Sequence, residues 1–97
     1  MFTPEEIYII SSAVETYNEA HRGILNPELQ DSLCNSCIAK LEGYNQLTYF
    51  SKQEYTVMAF AVDMIINQLS SLPKGTTDKR LIKKMKTVFD RLCTLAR

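Results

Sequence analysis

Apolar residues recur at helical spacing in four stretches of this chain, and capping signals separate the stretches. Thr3-Pro4-Glu5-Glu6 offers an N-cap hydroxyl, a proline at the first helical position and a glutamate three residues past the threonine, the parts of a capping box. Behind it Ile7, Ile10, Val14, Tyr17, His21 and Ile24 alternate three and four residues apart and form one stripe, with Gly23 as the stop. Asn26-Pro27-Glu28 repeats the cap-proline-acid start, and Leu29, Leu33, Cys37 and Leu41 are the expected inner face of the second stretch, up to Gly43.

Residues 44–50, YNQLTYF, break the period and read as a connector, briefly extended. Ser51-Lys52-Gln53-Glu54 is a second capping box, and Phe50 and Tyr55 stand at the spacing of a hydrophobic staple. The third stretch then places Tyr55, Met58, Ala59, Val62, Ile65, Ile66, Leu69 and Leu72 on the expected core side. SLPKGTT interrupts it, and Thr76 or Thr77 caps a fourth stretch whose stripe is Leu81, Met85, Val88, Leu92 and Leu95, flanked by Ile82 and Phe89.

These signals predict helices over about 4–22, 27–42, 52–71 and 78–96. The chain is expected to be one all-α domain, 1–97, folded as a four-helix antiparallel up-down bundle. A helix-turn-helix arrangement is the competing all-α topology. The first and third stretches also match at a fixed offset, in Thr3/Ser51, Glu6/Glu54, Ala13/Ala61, Val14/Val62 and Glu15/Asp63. Convergence of two capped amphipathic helices accounts for this more simply than duplication of a hairpin.

The third stretch is apolar nearly all round. Only Thr56, Asp63, Asn67 and Ser70 form a polar strip, on which Asp63 is expected to be solvated rather than a buried functional carboxylate. A helix of that kind must be covered on most sides. Either it lies centrally, touched by the other three, or Val57, Phe60 and Met64 meet a second molecule, in a homodimer or on a partner protein. Tyr49, beside Tyr44 and Phe50 in the connector, is a secondary interface candidate.

Charge sharpens the picture. The 97 residues sum to zero, but residues 1–73 carry nine acidic and three basic side chains and residues 74–97 carry two acidic and eight basic ones. In the fourth helix Lys79, Arg80, Lys83, Lys84, Lys86 and Arg91 lie opposite the leucine stripe. Such a face suits steering toward an acidic protein surface, or pairing with Glu15, Glu19, Asp31 and Glu42 of this chain or a dimer mate. The alternative is a nucleic-acid-associated protein using that helix. It is weakened by the near-neutral total, the absence of aromatics among the charges and the lack of Asn or Gln for base edges.

Candidate chemistry is sparse. Cys34-Asn35-Ser36-Cys37, with Cys93 and the single His21, supplies four potential zinc ligands, yet the cysteine pair falls inside a helical pattern rather than on a knuckle, and core packing is the expected role. A redox dithiol needs its first thiol at a helix N-terminus, and Cys34 lies two turns in. No serine or cysteine is spaced to pair with His21, and Gly23, Gly43 and Gly75 all read as helix stops or turns. No enzyme activity, metal or cofactor is expected. Three cysteines argue against a disulfide framework, the acidic start is unlike a targeting segment, and no apolar run spans a bilayer, so a cytoplasmic location without membrane contact is expected. The expected function is a small protein-protein interaction module, an adaptor, regulator or inhibitor, binding a protein partner and forming a homodimer.

Overall fold

The computed structural model describes residues 2–20, 27–73, 75 and 79–97. Four helices account for most of them: α1 Pro4–Ala20, α2 Pro27–Glu42, α3 Lys52–Ser70 and α4 Lys79–Ala96. Among the described residues there is no strand. The expected roles of His21, Gly23, Ile24, Asn26, Thr76 and Thr77 fall outside the described residues.

Both capping boxes form. The Thr3 N–H donates to Glu6 Oε1 at 2.8 Å and the Glu6 N–H to Thr3 Oγ1 at 3.2 Å. At α3 the Ser51 N–H donates to Glu54 Oε1 at 2.9 Å and the Glu54 N–H to Ser51 Oγ at 3.1 Å. Each box thus satisfies two backbone donors at the entry to its helix. The staple at α3 is a ring contact, with the Phe50 and Tyr55 centroids 5.5 Å apart. The connector is a turn held by Asn45, whose side-chain oxygen accepts from the Leu47 N–H at 2.7 Å, while the Thr48 hydroxyl accepts from the Asn45 N–H at 2.9 Å. It is not extended into a strand.

Helix α3 packs against all three other helices, most extensively against α4. This central placement buries Met58, Ala59, Ala61, Val62 and Ile66, while Tyr55, Ile65 and Leu69 are half-buried. Ala61, expected off the core side, is fully buried because α3 has neighbours on several faces. Leu72, expected inside, lies past the helix end and is exposed. Ile10 and Val14 of α1, Cys34, Cys37 and Leu41 of α2, and Met85, Val88 and Leu92 of α4 complete the core. Truncating any of the larger of these to alanine is worth about 2–5 kcal/mol.

The inner face of α2 differs from the expected one. Leu29 is 54% exposed and Leu33 half-buried, whereas Gln30 is buried with Cys34, Cys37 and Leu41. The reason is geometric. Residues spaced strictly four apart drift about 40° per step around a helix of 3.6 residues per turn, so Leu29 and Leu41 cannot share a face. The 4-3-4 series 30, 34, 37, 41 holds its direction. On α4, likewise, Leu81 and Leu95 at the two ends of the stripe remain exposed while its middle is sealed.

The structure extends the match between α1 and α3. Phe2 precedes Thr3 as Phe50 precedes Ser51, and both rings lie beside Tyr44, at 6.0 and 6.3 Å between centroids. The Tyr44 hydroxyl also accepts from the Phe2 N–H at 3.0 Å. The two helix entrances therefore meet at one aromatic cluster.

Candidate interaction surfaces

The capping glutamates do more than cap. Glu54 Oε1 also accepts from Lys40 Nζ at 2.7 Å and its Oε2 from the Ser36 hydroxyl at 2.9 Å, tying α3 to α2. Glu6 Oε2 accepts from Arg91 Nη1 at 2.8 Å, tying α1 to α4. In both places the cation also lies over the preceding aromatic ring, Lys40 at 5.7 Å from Phe50 and Arg91 at 4.7 Å from Phe2. Burial pushes each carboxyl upward. For Glu6 the Thr3 N–H and the Arg91 hydrogen bond and charge outweigh it, and for Glu54 the Lys40 hydrogen bond, the Ser51 N–H, the Ser36 hydroxyl and the Lys40 charge do so. Both end below the ordinary value and ionised at neutral pH.

These ties revise the expectation for the basic helix. Lys84 pairs with Glu5 and Arg91 with Glu6, rather than either with Glu15, Glu19, Asp31 or Glu42. Acids near the start of α1 are brought beside α4 by the packing of both helices on α3. Lys79, Arg80, Lys83 and Lys86 are exposed on the outside of α4, while Lys84 and Arg91 reach the acids at the start of α1.

The apolar candidates lie together on α3. Phe60 is 55% exposed, while Val57 and Met64 are half-buried. Phe60 and Met64 line an open depression of about 550 Å³ with Tyr17, Asp63, Asn67 and Gln68. Asp63 is half-buried there, on the rim of an apolar patch. Tyr49 is 77% exposed in the connector and lines none of this depression, whereas Tyr44 and Phe50 turn inward to the aromatic cluster.

Cys34 and Cys37 are sealed in the core of α2. Burial, then the Asp31 charge, raises the Cys34 thiol, and burial with the charges of Glu54 and Cys34 pushes Cys37 up to about 12. Such thiols are held protonated and make poor nucleophiles or ligands. Among the described residues no group of three or more His, Cys, Asp or Glu side chains is arranged to hold a metal. His21 lies outside the described residues.

Sequence reasoning overlooked the double role of Glu6 and Glu54. The available signal was the repeated five-residue string Phe2-Thr3-Pro4-Glu5-Glu6 and Phe50-Ser51-Lys52-Gln53-Glu54, an aromatic followed by a capping box. It also overlooked Tyr8, 73% exposed, and the groove beside it between α1, α3 and α4. No family model, curated protein or solved structure matches this chain.

Proposed function

We propose that this chain is a small non-enzymatic protein-protein interaction module, an adaptor, regulator or inhibitor, whose helices run as an antiparallel up-down bundle. Its partner-binding site is the apolar outer face of α3, centred on Phe60 with Val57 and Met64. The outer cations of α4, Lys79, Arg80, Lys83 and Lys86, steer the encounter electrostatically. One observation carries this reading: Phe60 remains 55% exposed on a helix that already packs against three others. A large aromatic left outside on the most central helix is the kind of anchor that dominates binding energy at protein interfaces.

The commitment of Lys84 and Arg91 to Glu5 and Glu6 favours a protein partner over nucleic acid. It removes two of the six basic α4 side chains from any phosphate track, and the acids paired with them would repel a duplex laid on that flank. Among the described residues no helix is long and apolar enough to cross a membrane.

The test is affinity capture from the native host with wild type and a Phe60→Asp/Met64→Asp variant, followed by a binding isotherm with the purified captured protein. A protein retained by wild type and lost by the variant supports the site. Equal capture by both places binding elsewhere. Tight, steeply salt-dependent binding to duplex DNA or RNA, abolished by Lys79→Glu/Lys83→Glu, would favour the alternative.

A further inference from the structure

We propose that the depression at Phe60 takes an arginine side chain of the partner, its guanidinium laid on the Phe60 ring and paired with the Asp63 carboxylate, an inference that rests on the partner binding at Phe60. The chain holds the same combination twice within itself. Arg91 lies 4.7 Å over the Phe2 ring and donates to Glu6 Oε2 at 2.8 Å. Lys40 lies 5.7 Å from the Phe50 ring and donates to Glu54 Oε1 at 2.7 Å. In each case the acid follows the ring by four residues, and the cation comes from a different helix. Asp63 follows Phe60 by three residues on α3, a spacing that puts both on one side of the helix. Both line the open depression, and among the described residues no cation lines it with them.

The lining itself decides the sign and shape of the occupant. Asp63 is its only charged member. It is also the only charged residue from Tyr55 to Pro73, so no side chain one turn away on α3 can pair with it. Among the described residues it makes no ion pair. Its carboxylate is half-buried beside Phe60 and Met64, where a cation is attracted more strongly than on an open surface. The Ser71 hydroxyl donates to the Gln68 carbonyl at 2.8 Å and meets a ligand as an acceptor. Asn67 and Gln68 add two side-chain carbonyl oxygens. Acceptors gathered around one carboxylate suit a guanidinium, whose five N–H groups lie in a plane that also stacks on an aromatic face. A lysine ammonium brings a point charge and no plane. The stem of the arginine lies along Met64. An acidic partner residue would meet Asp63 as a like charge, and a purely apolar one would cover it unpaired. No cation of α4 belongs to this lining, so steering and anchoring use opposite signs at separate places.

Titration of the isotope-labelled full chain, followed by NMR, tests this with blocked tripeptides of the form acetyl-Leu-X-Leu-amide, where X is arginine, citrulline, lysine or glutamate. The arginine peptide is expected to bind in the millimolar range and to shift the signals of Phe60, Asp63, Met64 and Asn67. Citrulline keeps the shape and loses the charge, and should bind about tenfold more weakly; lysine should bind about threefold more weakly. Asp63→Asn should abolish the preference for arginine over citrulline, and Phe60→Leu the preference for arginine over lysine. No shift with the arginine peptide, equal binding of the citrulline peptide by wild type, or tighter binding of the glutamate peptide would each overturn the proposal. So would the same signals moving when the chain alone is concentrated, which seats a second copy in the depression. Should circular dichroism show a variant unfolded, the comparison of arginine with citrulline on wild type decides. A captured host protein lost with Phe60→Asp/Met64→Asp but fully held by Asp63→Asn sinks the arginine anchor and leaves the binding site standing. Capture unchanged by Phe60→Asp/Met64→Asp sinks both.

Discussion

The entrances to α1 and α3 are built from one local design and reach opposite neighbours. Glu6 caps its own helix and holds Arg91 of α4, while Glu54 caps its own helix and holds Lys40 of α2. They differ in depth and in partners. The Glu54 side chain is 6% exposed against 11% for Glu6, and among the described residues only Glu54 takes a third donor, the Ser36 hydroxyl. The Glu6 node has instead a guanidinium close over its aromatic ring. The comparison teaches that a capping box can be read as local punctuation and still be the tie between helices. Which tie matters more depends on burial, since a removed partner costs most where water cannot replace it.

The largest expected effect is that of Glu54→Ala. It leaves Lys40, Ser36 and the Ser51 N–H without their acceptor, and a loss of about 2–4 kcal/mol in urea unfolding is expected, reduced by the partial exposure of Lys40. Glu6→Ala should cost less, about 1–2 kcal/mol, because the node is shallower and lacks the serine. Equal losses would break the ranking by burial.

Acid should separate the same two residues from the rest of the surface. Both carboxyls sit below the value of 4.5 that they take when unperturbed, so each contributes stability above that value. The contribution is lost as pH falls through the depressed folded values. Unfolding midpoints measured from about pH 6 to about pH 3 should fall for wild type. They should fall distinctly less for Glu6→Gln/Glu54→Gln, which has no such carboxylates to protonate. Parallel curves would mean that other groups carry the acid sensitivity. The smallest effect is that of Arg91→Lys, about 0.5 kcal/mol: the charge is kept and the stacking over Phe2 is lost. A melting temperature unchanged within error would remove the ring contact from the account of this node.

Much of the fold was legible in the chain because its signals are short-ranged. The caps at Thr3 and Ser51, the staple of Phe50 on Tyr55 and the stripes Ile10–Val14–Tyr17 and Met85–Val88–Leu92 all depend on residues within one or two turns of each other. Where the spacing was a strict four, as from Leu29 to Leu41, precession around the helix misled the reading and hid buried Gln30. The candidate surfaces were only half visible. Val57, Phe60 and Met64 could be picked out by their excess of apolar area. The groove at Tyr8 and Leu81 joins residues more than seventy positions apart and leaves no local trace.

The sequence by itself determined four helices, the capping boxes of α1 and α3, the faces that most of the helices bury and a separation of negative from positive charge along the chain. Only the tertiary structure decided that α3 is the central helix, that Lys84 and Arg91 are held by Glu5 and Glu6, and that an acidic helix and a basic one flank a single groove. Helix propensity and capping act over a few residues and are written in the order of the chain. Which faces remain outside is settled by packing between distant segments, and the outside is where any partner must bind.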